Sequence, residues 1–123
     1  MGYESKLYVV EKHHTLSRKI NGKDMLFGEV VAVFNLCKVY DVSGRVKSYK
    51  DTDAYIYADN DDDKIVVDRY GDPLKEIPLS DMIDILEEAA ANDSYRRYGP
   101  CIAYLKAIDP IEWEDIVVLH YGH

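Results

Sequence analysis

The run Ile116-Val117-Val118-Leu119-His120-Tyr121 is apolar at every position but one, and a strand of that kind has no polar side to give to water. It has to be covered on both faces, which makes it a central strand of a sheet and requires other elements to be built around it. Leu7-Tyr8-Val9-Val10 reads as an opening strand, and Glu29–Leu36 (EVVAVFNL) as a second interior one, buried on both faces. Between them, positions 13 to 26 are polar and carry Asn21-Gly22, a strong turn signal, so this stretch reads as a loop or a long hairpin connection. Ser43-Gly44 marks another turn.

A second hairpin follows. Ala54–Ala58 and Lys64–Val67 have strand composition and are joined by Asp59-Asn60-Asp61-Asp62-Asp63, so the predicted hairpin has an acidic tip. Arg69–Pro73 is a turn. Helical spacing begins only at Ser80, an N-cap with Asp81 in the first turn to complement the helix dipole. Met82, Ile83, Ile85, Leu86, Ala89 and Ala90 then form one apolar stripe. Tyr95, Tyr98, Ile102 and Leu105 continue at the same spacing, with Gly99-Pro100 predicting a kink, or a turn followed by a short helix from Pro100. Strands first, helices next and one strand last imply an α+β domain spanning residues 1–123. Its antiparallel or mixed sheet should have four to five strands, with two to three helices over 80–107 on one face.

Several function classes are excluded by pattern. No G-x-S-x-G, P-loop, G-x-G-x-x-G or C-x-x-C motif occurs in the sequence. On an EF-hand template Asp59, Asp61 and Asp63 fill the first three ligand positions. Lys64 then stands where glycine is required and Tyr70 where a bidentate glutamate belongs. Consecutive turn aspartates also diverge too much for a hydrolytic metal site, so no metal and no cofactor is expected. His13-His14 and His120, His123 read as surface or strand-end residues, because no third ligand is fixed by spacing. Cys37 and Cys101 lie in apolar segments. With no secretory leader before Tyr3, they read as reduced, buried thiols of a cytoplasmic protein. Apolar runs are too short to span a membrane.

What remains is charge and aromatic area. The net charge is -8, and Asp59, Asp61, Asp62, Asp63 and Asp68 crowd among Tyr55, Tyr57 and Tyr70. Such a face repels phosphates, so direct nucleic-acid binding is not expected. It complements a Lys/Arg surface that itself holds nucleic acid. In this reading the aspartates supply steering charge and the tyrosines buried contact area. The alternative is a small-ligand module that sequesters a nucleotide signal, with tyrosines for stacking and Arg96-Arg97 for phosphate; a metal-assisted enzyme is third.

Four phrases carry a resemblance: Met1–Val10, Gly28–Ala32, Asp68–Leu74 and Val118–Gly122. They are similar to stretches of small uncharacterised phage and prophage proteins of Gram-positive bacteria. The resemblance implies an accessory protein acting in the cytoplasm of a bacterial host. Proteins of that class are often inhibitors of host machinery, including anti-CRISPR proteins that occlude a nucleic-acid channel. The partner it implies is a host protein with a basic surface, such as a CRISPR effector. The chain itself would be a non-enzymatic monomer or homodimer.

Overall fold

The structure, a computed structural model, describes residues 5–20, 22–36, 44–57, 64–65, 73–92, 98–108 and 115–122. Strand β1 (Ser5–Ile20) and strand β2 (Lys23–Asn35) form one long antiparallel hairpin. Gly22, between them, takes a φ of +83°, a left-handed conformation that glycine adopts without steric penalty. The polar stretch from 13 to 26 is therefore the distal half of this hairpin and not a loop. Cross-strand pairing holds it extended although it has little to bury. Strand β3 (Ala54–Tyr57) runs parallel to β2 through Leu26↔Ala54 and Phe27↔Tyr55. The two-residue strand β4 (Lys64–Ile65) pairs antiparallel with β3. Strand β5 (Lys75–Pro78), which has no distinct signal in the sequence, leads directly into helix α1 (Leu79–Asn92). Helix α2 (Tyr98–Ala107) and strand β6 (Ile116–Gly122) complete the order.

The sheet is mixed, with strand order β4-β3-β2-β1-β6-β5, and the fold is α+β. As its composition requires, β6 lies inside the sheet, antiparallel to β1 on one side and β5 on the other. Both helices pack on one face. There Met82, Ile83, Leu86 and Ala89 of α1 and Tyr98, Cys101 and Leu105 of α2 meet Leu7, Val9, Ile77, Ile116 and Val118. Gly99 and Pro100 fall in the first turn of α2, where proline's missing N–H is no loss, so the helix runs through them without a break. A helical turn at 44–46 adds Val46 to this core, and Tyr49 donates a hydrogen bond of 3.0 Å to Asp81 Oδ2 at the start of α1.

On the opposite face the sheet curls around a second cluster of Val10, Ile56, Leu74, Val117 and Leu119. The curl closes on itself. Residues 50–52 bond to β5 through Glu76 N–H to Lys50 O (2.9 Å) and Thr52 N–H to Leu74 O (2.8 Å), and Leu26 N–H then bonds to Asp53 O (2.8 Å). The segment that enters β3 thus joins the β5 edge to the β2 edge, so a ring of backbone hydrogen bonds replaces two open edges.

Residues 29–35 of β2 depart from the expected burial on both faces. Val31 is 41% and Val33 46% exposed, alternating with more covered neighbours, because β3 pairs only with the other half of the strand. A register shift at Val9/Val10 also turns Val31 out of the ladder.

Gly28 is where the closure is tightest. A Cβ there would lie 3.3 Å from Ile56 Cγ2, 3.3 Å from Tyr55 O and 3.5 Å from Val10 Cβ. Gly28→Val should therefore destabilise the fold by about 1–3 kcal/mol through overpacking. Gly44→Ala, at a glycine with nothing within 4 Å of a Cβ, should cost little by comparison. Chemical denaturation of the two variants checks the difference.

Candidate functional site

The pairs Ile56↔Ile65 and Tyr57↔Lys64 make β3 and β4 an antiparallel hairpin, in agreement with the strand composition on either side of the acidic run. Residues 58–63, which contain Asp59, Asp61, Asp62 and Asp63, are by connectivity its crossing segment. These four aspartates lie outside the described residues, as do Asp68, Tyr70, Arg96 and Arg97 and also Cys37 and His123. Tyr57 and Lys64 are described through their backbone pairing alone. Tyr55 is the candidate whose side chain is seen, and it is only 3% exposed. Its ring lies 5.7 Å from that of Phe27, so it is already covered by its own chain and offers a partner little more than an edge. Tyr55 was expected to supply contact area to a partner, and little of its side chain is accessible for that. Position 55 falls beside β2, where strand pairing brings Phe27 over it.

The base of this hairpin is held by a charged cluster that the sequence does not mark. Glu76, 5% exposed, lies on β5 beneath the closing seam. Lys12 Nζ donates to Glu76 Oε2 at 3.0 Å and lies 2.8 Å from Asp53 Oδ1. Thr52 Oγ1 donates to Glu76 Oε1 at 2.9 Å and in turn accepts the Ala54 N–H at 3.0 Å. Lys50 Nζ approaches Glu76 Oε2 at 3.2 Å from the solvent side. Lys75, on the outer side of β5, pairs with Asp51 at 2.7 Å. The buried carboxylate therefore has partners for both oxygens, as a charge in such a place requires. Position 76 alternates with buried Ile77 and follows buried Leu74, but nothing in Lys75-Glu76-Ile77-Pro78 announces an interior glutamate. Lys12 sits in a polar stretch with no helical or metal spacing.

Burial of Lys12 is the largest influence on its ammonium and by itself lowers the pKa, but hydrogen bonds from it to Asp53 and Glu76 together outweigh it, and the group is held above the ordinary lysine value. For Asp53 burial likewise acts first and upward, and is overcome by the hydrogen bond and charge of Lys12, leaving the carboxyl below its ordinary range. Burial alone pushes the Cys101 thiol up to about 12, which makes it an unreactive core residue at neutral pH, in agreement with the expectation of a reduced, buried thiol.

The histidines are dispersed. His13 Nε2 lies 3.0 Å from Glu29 Oε1 and His14 Nε2 lies 3.2 Å from Asp115 Oδ1. His120 stands opposite Leu7 on β1, well along the strand from His13, and is 4% exposed, so it is an interior residue and not a surface one. The physical reason is its place on β6, whose residues 116–120 are buried on both faces of the sheet. Among the described residues no three His, Cys, Asp or Glu side chains form a metal-ligand group, and no helix is long and apolar enough to cross a membrane. No protein-family model, no curated protein and no solved structure matches the chain.

The cluster gives a pH signature. Asp53, with a depressed folded pKa, contributes stability that is full above the ordinary aspartate pKa and is lost as pH falls through its lower folded value. Lys12, with a raised one, contributes stability that is full below the ordinary lysine pKa and is lost as pH rises through its higher folded value. Replacing Lys12 by Met removes one charged hydrogen bond to Glu76, which keeps Lys50 and Thr52, and should cost about 1.5–3 kcal/mol near neutral pH. Thermal unfolding from pH 3 to 11 should show the acid and alkaline limbs of wild type flattened in that variant.

Proposed function

We propose that this chain is a non-enzymatic protein-binding module of the phage-inhibitor type, acting in the cytoplasm of a bacterial host. Its acid-bearing β3–β4 hairpin engages a basic, nucleic-acid-binding surface on a host protein, of the kind a CRISPR effector presents. The observation that supports this reading is the antiparallel pairing of β3 with β4. It makes residues 58–63, the densest acid in a chain of net charge -8, the connection of a hairpin at the end of the sheet.

Beneath that connection the base is stiff. β3 is bonded to β2, and the residues leading into it are bonded to β5 and tied to Glu76. Carboxylates that meet a Lys/Arg channel compete with phosphates for it. Asp59, Asp61, Asp62, Asp63 and Asp68 supply the steering charge, with Tyr57 and Tyr70 as the aromatic contacts beside them. The proposal needs no cofactor, no direct nucleic acid and no membrane, and it holds for a monomer or a homodimer.

Changing Asp61, Asp62 and Asp63 together to Asn tests it. Stability should stay within about 0.5 kcal/mol of wild type, because a run of neighbouring aspartates contributes little by its mutual repulsion. Against a panel of nucleic-acid-binding host proteins, CRISPR effectors included, wild type should bind one in competition with its nucleic acid. For that partner the variant's association rate at low salt should fall about tenfold and lose most of its salt dependence. Unchanged association by the triple variant would sink the acidic-hairpin assignment.

A further inference from the structure

The far end of the β1–β2 hairpin reverses the sign of the molecule. In a chain of net charge -8, this arm carries Arg18, Lys19 and Lys23 against Asp24 alone, and residues 14–19 and 22–24 are exposed. The arm is also irregular. Pairing jumps from His13↔Phe27 to Ser17↔Leu26, so three residues of β1 bulge outward, and Leu16 among them is 52% exposed. A bulge next to exposed apolar surface re-aims side chains, and bulges are over-represented beside binding sites.

Below the bulge runs a row of rings drawn from three adjacent strands. His13 stacks on Phe27 with centroids 5.5 Å apart and planes at 20°, and Phe27 leans on Tyr55 at 5.7 Å and 47°. The imidazole is held in place from its other side by Glu29, 3.0 Å from Nε2. Leu16, Ser17, Arg18, Phe27 and Tyr55 line an open cleft of about 240 Å³ on this row. That is below the roughly 300–1,000 Å³ of sites for drug-sized ligands, and has room for one planar ring system. Among the described residues Arg18 has no carboxylate partner, and neither have Lys19 and Lys23 on the same arm.

We propose that this cleft binds a nucleotide, with its base between the half-buried Phe27 ring and Leu16, the Tyr55 edge at its floor, and its phosphate on Arg18. The chemistry required is a flat aromatic body carrying an anion within a few ångströms of it. A half-buried aromatic ring at the floor of a cleft gives a stacking surface that every base can use. A guanidinium not already engaged by a carboxylate offers a paired donor fork to phosphate oxygens, and the Ser17 hydroxyl is a further donor at the same rim. An acidic peptide would satisfy Arg18 but would not need the ring platform, and an apolar ligand would not need the arginine. The site lies at the opposite end of β3 from the acidic segment, so it is independent of the protein-binding proposal.

Isothermal titration of the full chain with ATP, adenosine and tripolyphosphate tests it. ATP should bind with one-to-one stoichiometry, and each fragment about tenfold or more weaker, since base stacking and the arginine–phosphate pair each contribute on that scale. Arg18→Gln should bring ATP down to the affinity of adenosine and leave adenosine unchanged. Leu16→Glu, at an exposed position where folding is not at risk, should weaken ATP by placing a carboxylate at the mouth. A four-nucleotide oligoadenylate should bind no more tightly than ATP, because the cleft holds one ring; binding about tenfold tighter would overturn the mononucleotide assignment in favour of a single strand. No heat with ATP at millimolar concentration, tripolyphosphate binding as tightly as ATP, or ATP affinity unchanged in both variants would each overturn the proposal.

Discussion

The Glu76 carboxylate, buried on β5 and bonded by Lys12 and Thr52, is the contact on which the architecture turns. Its partners come from β1 and from the segment leading into β3, so one side chain gathers strands that are distant in sequence. Taking these charges out of water is costly, and apolar replacements of equal volume at such sites often hold as well or better. The arrangement acts instead on register. Any slip of residues 50–53 along β5 that parts Thr52 and Lys12 from Glu76 leaves a charge buried without a partner, and such a state is heavily penalised. The backbone bonds from Lys50, Thr52 and Asp53 form in that register and close the curl.

Closure divides the sheet's two faces between two cores. The helices cover one face and bury β6 from outside, while the inner face packs Val10, Ile56, Leu74, Val117 and Leu119 against one another. Gly28 is part of the same economy of space. Without a side chain it lets β3 approach to van der Waals distance of β2, and Ile56 fills the gap. The helical core then needs only ordinary amphipathic patterning from α1 and α2.

Charge follows the same geometry. β3 begins beside the cationic arm, where Tyr55 meets Phe27, and ends at the hairpin whose connection carries the aspartates. Along the chain the acidic run therefore follows the end of β3, while the basic arm lies beside its start. A chain described only by its net charge of -8 conceals this separation.

Much of the fold is legible in the residues. The apolar run of β6 implies an interior strand, the stripe from Met82 to Ala90 implies a helix against the sheet, and Asn21-Gly22 implies a hairpin turn. All three are local signals, carried by periodicity or turn chemistry. The acidic hairpin is legible in the same way, from strand composition on both sides of the run. Not legible were β5, too short and mixed in composition to register, and the exposure of Val31 and Val33, which depends on where β3 stops pairing. Nor was the covering of Tyr55 by Phe27, the burial of His120, or the cleft under the bulge at residues 14–16. Lys12, Thr52 and Glu76 lie up to 64 residues apart and meet only through the closed sheet. The sequence by itself determined which segments pair or coil, because those preferences are written in neighbouring residues. Which charges are buried, which rings are already covered and where the cleft opens was decided by tertiary structure, because each depends on contacts between strands far apart in the chain.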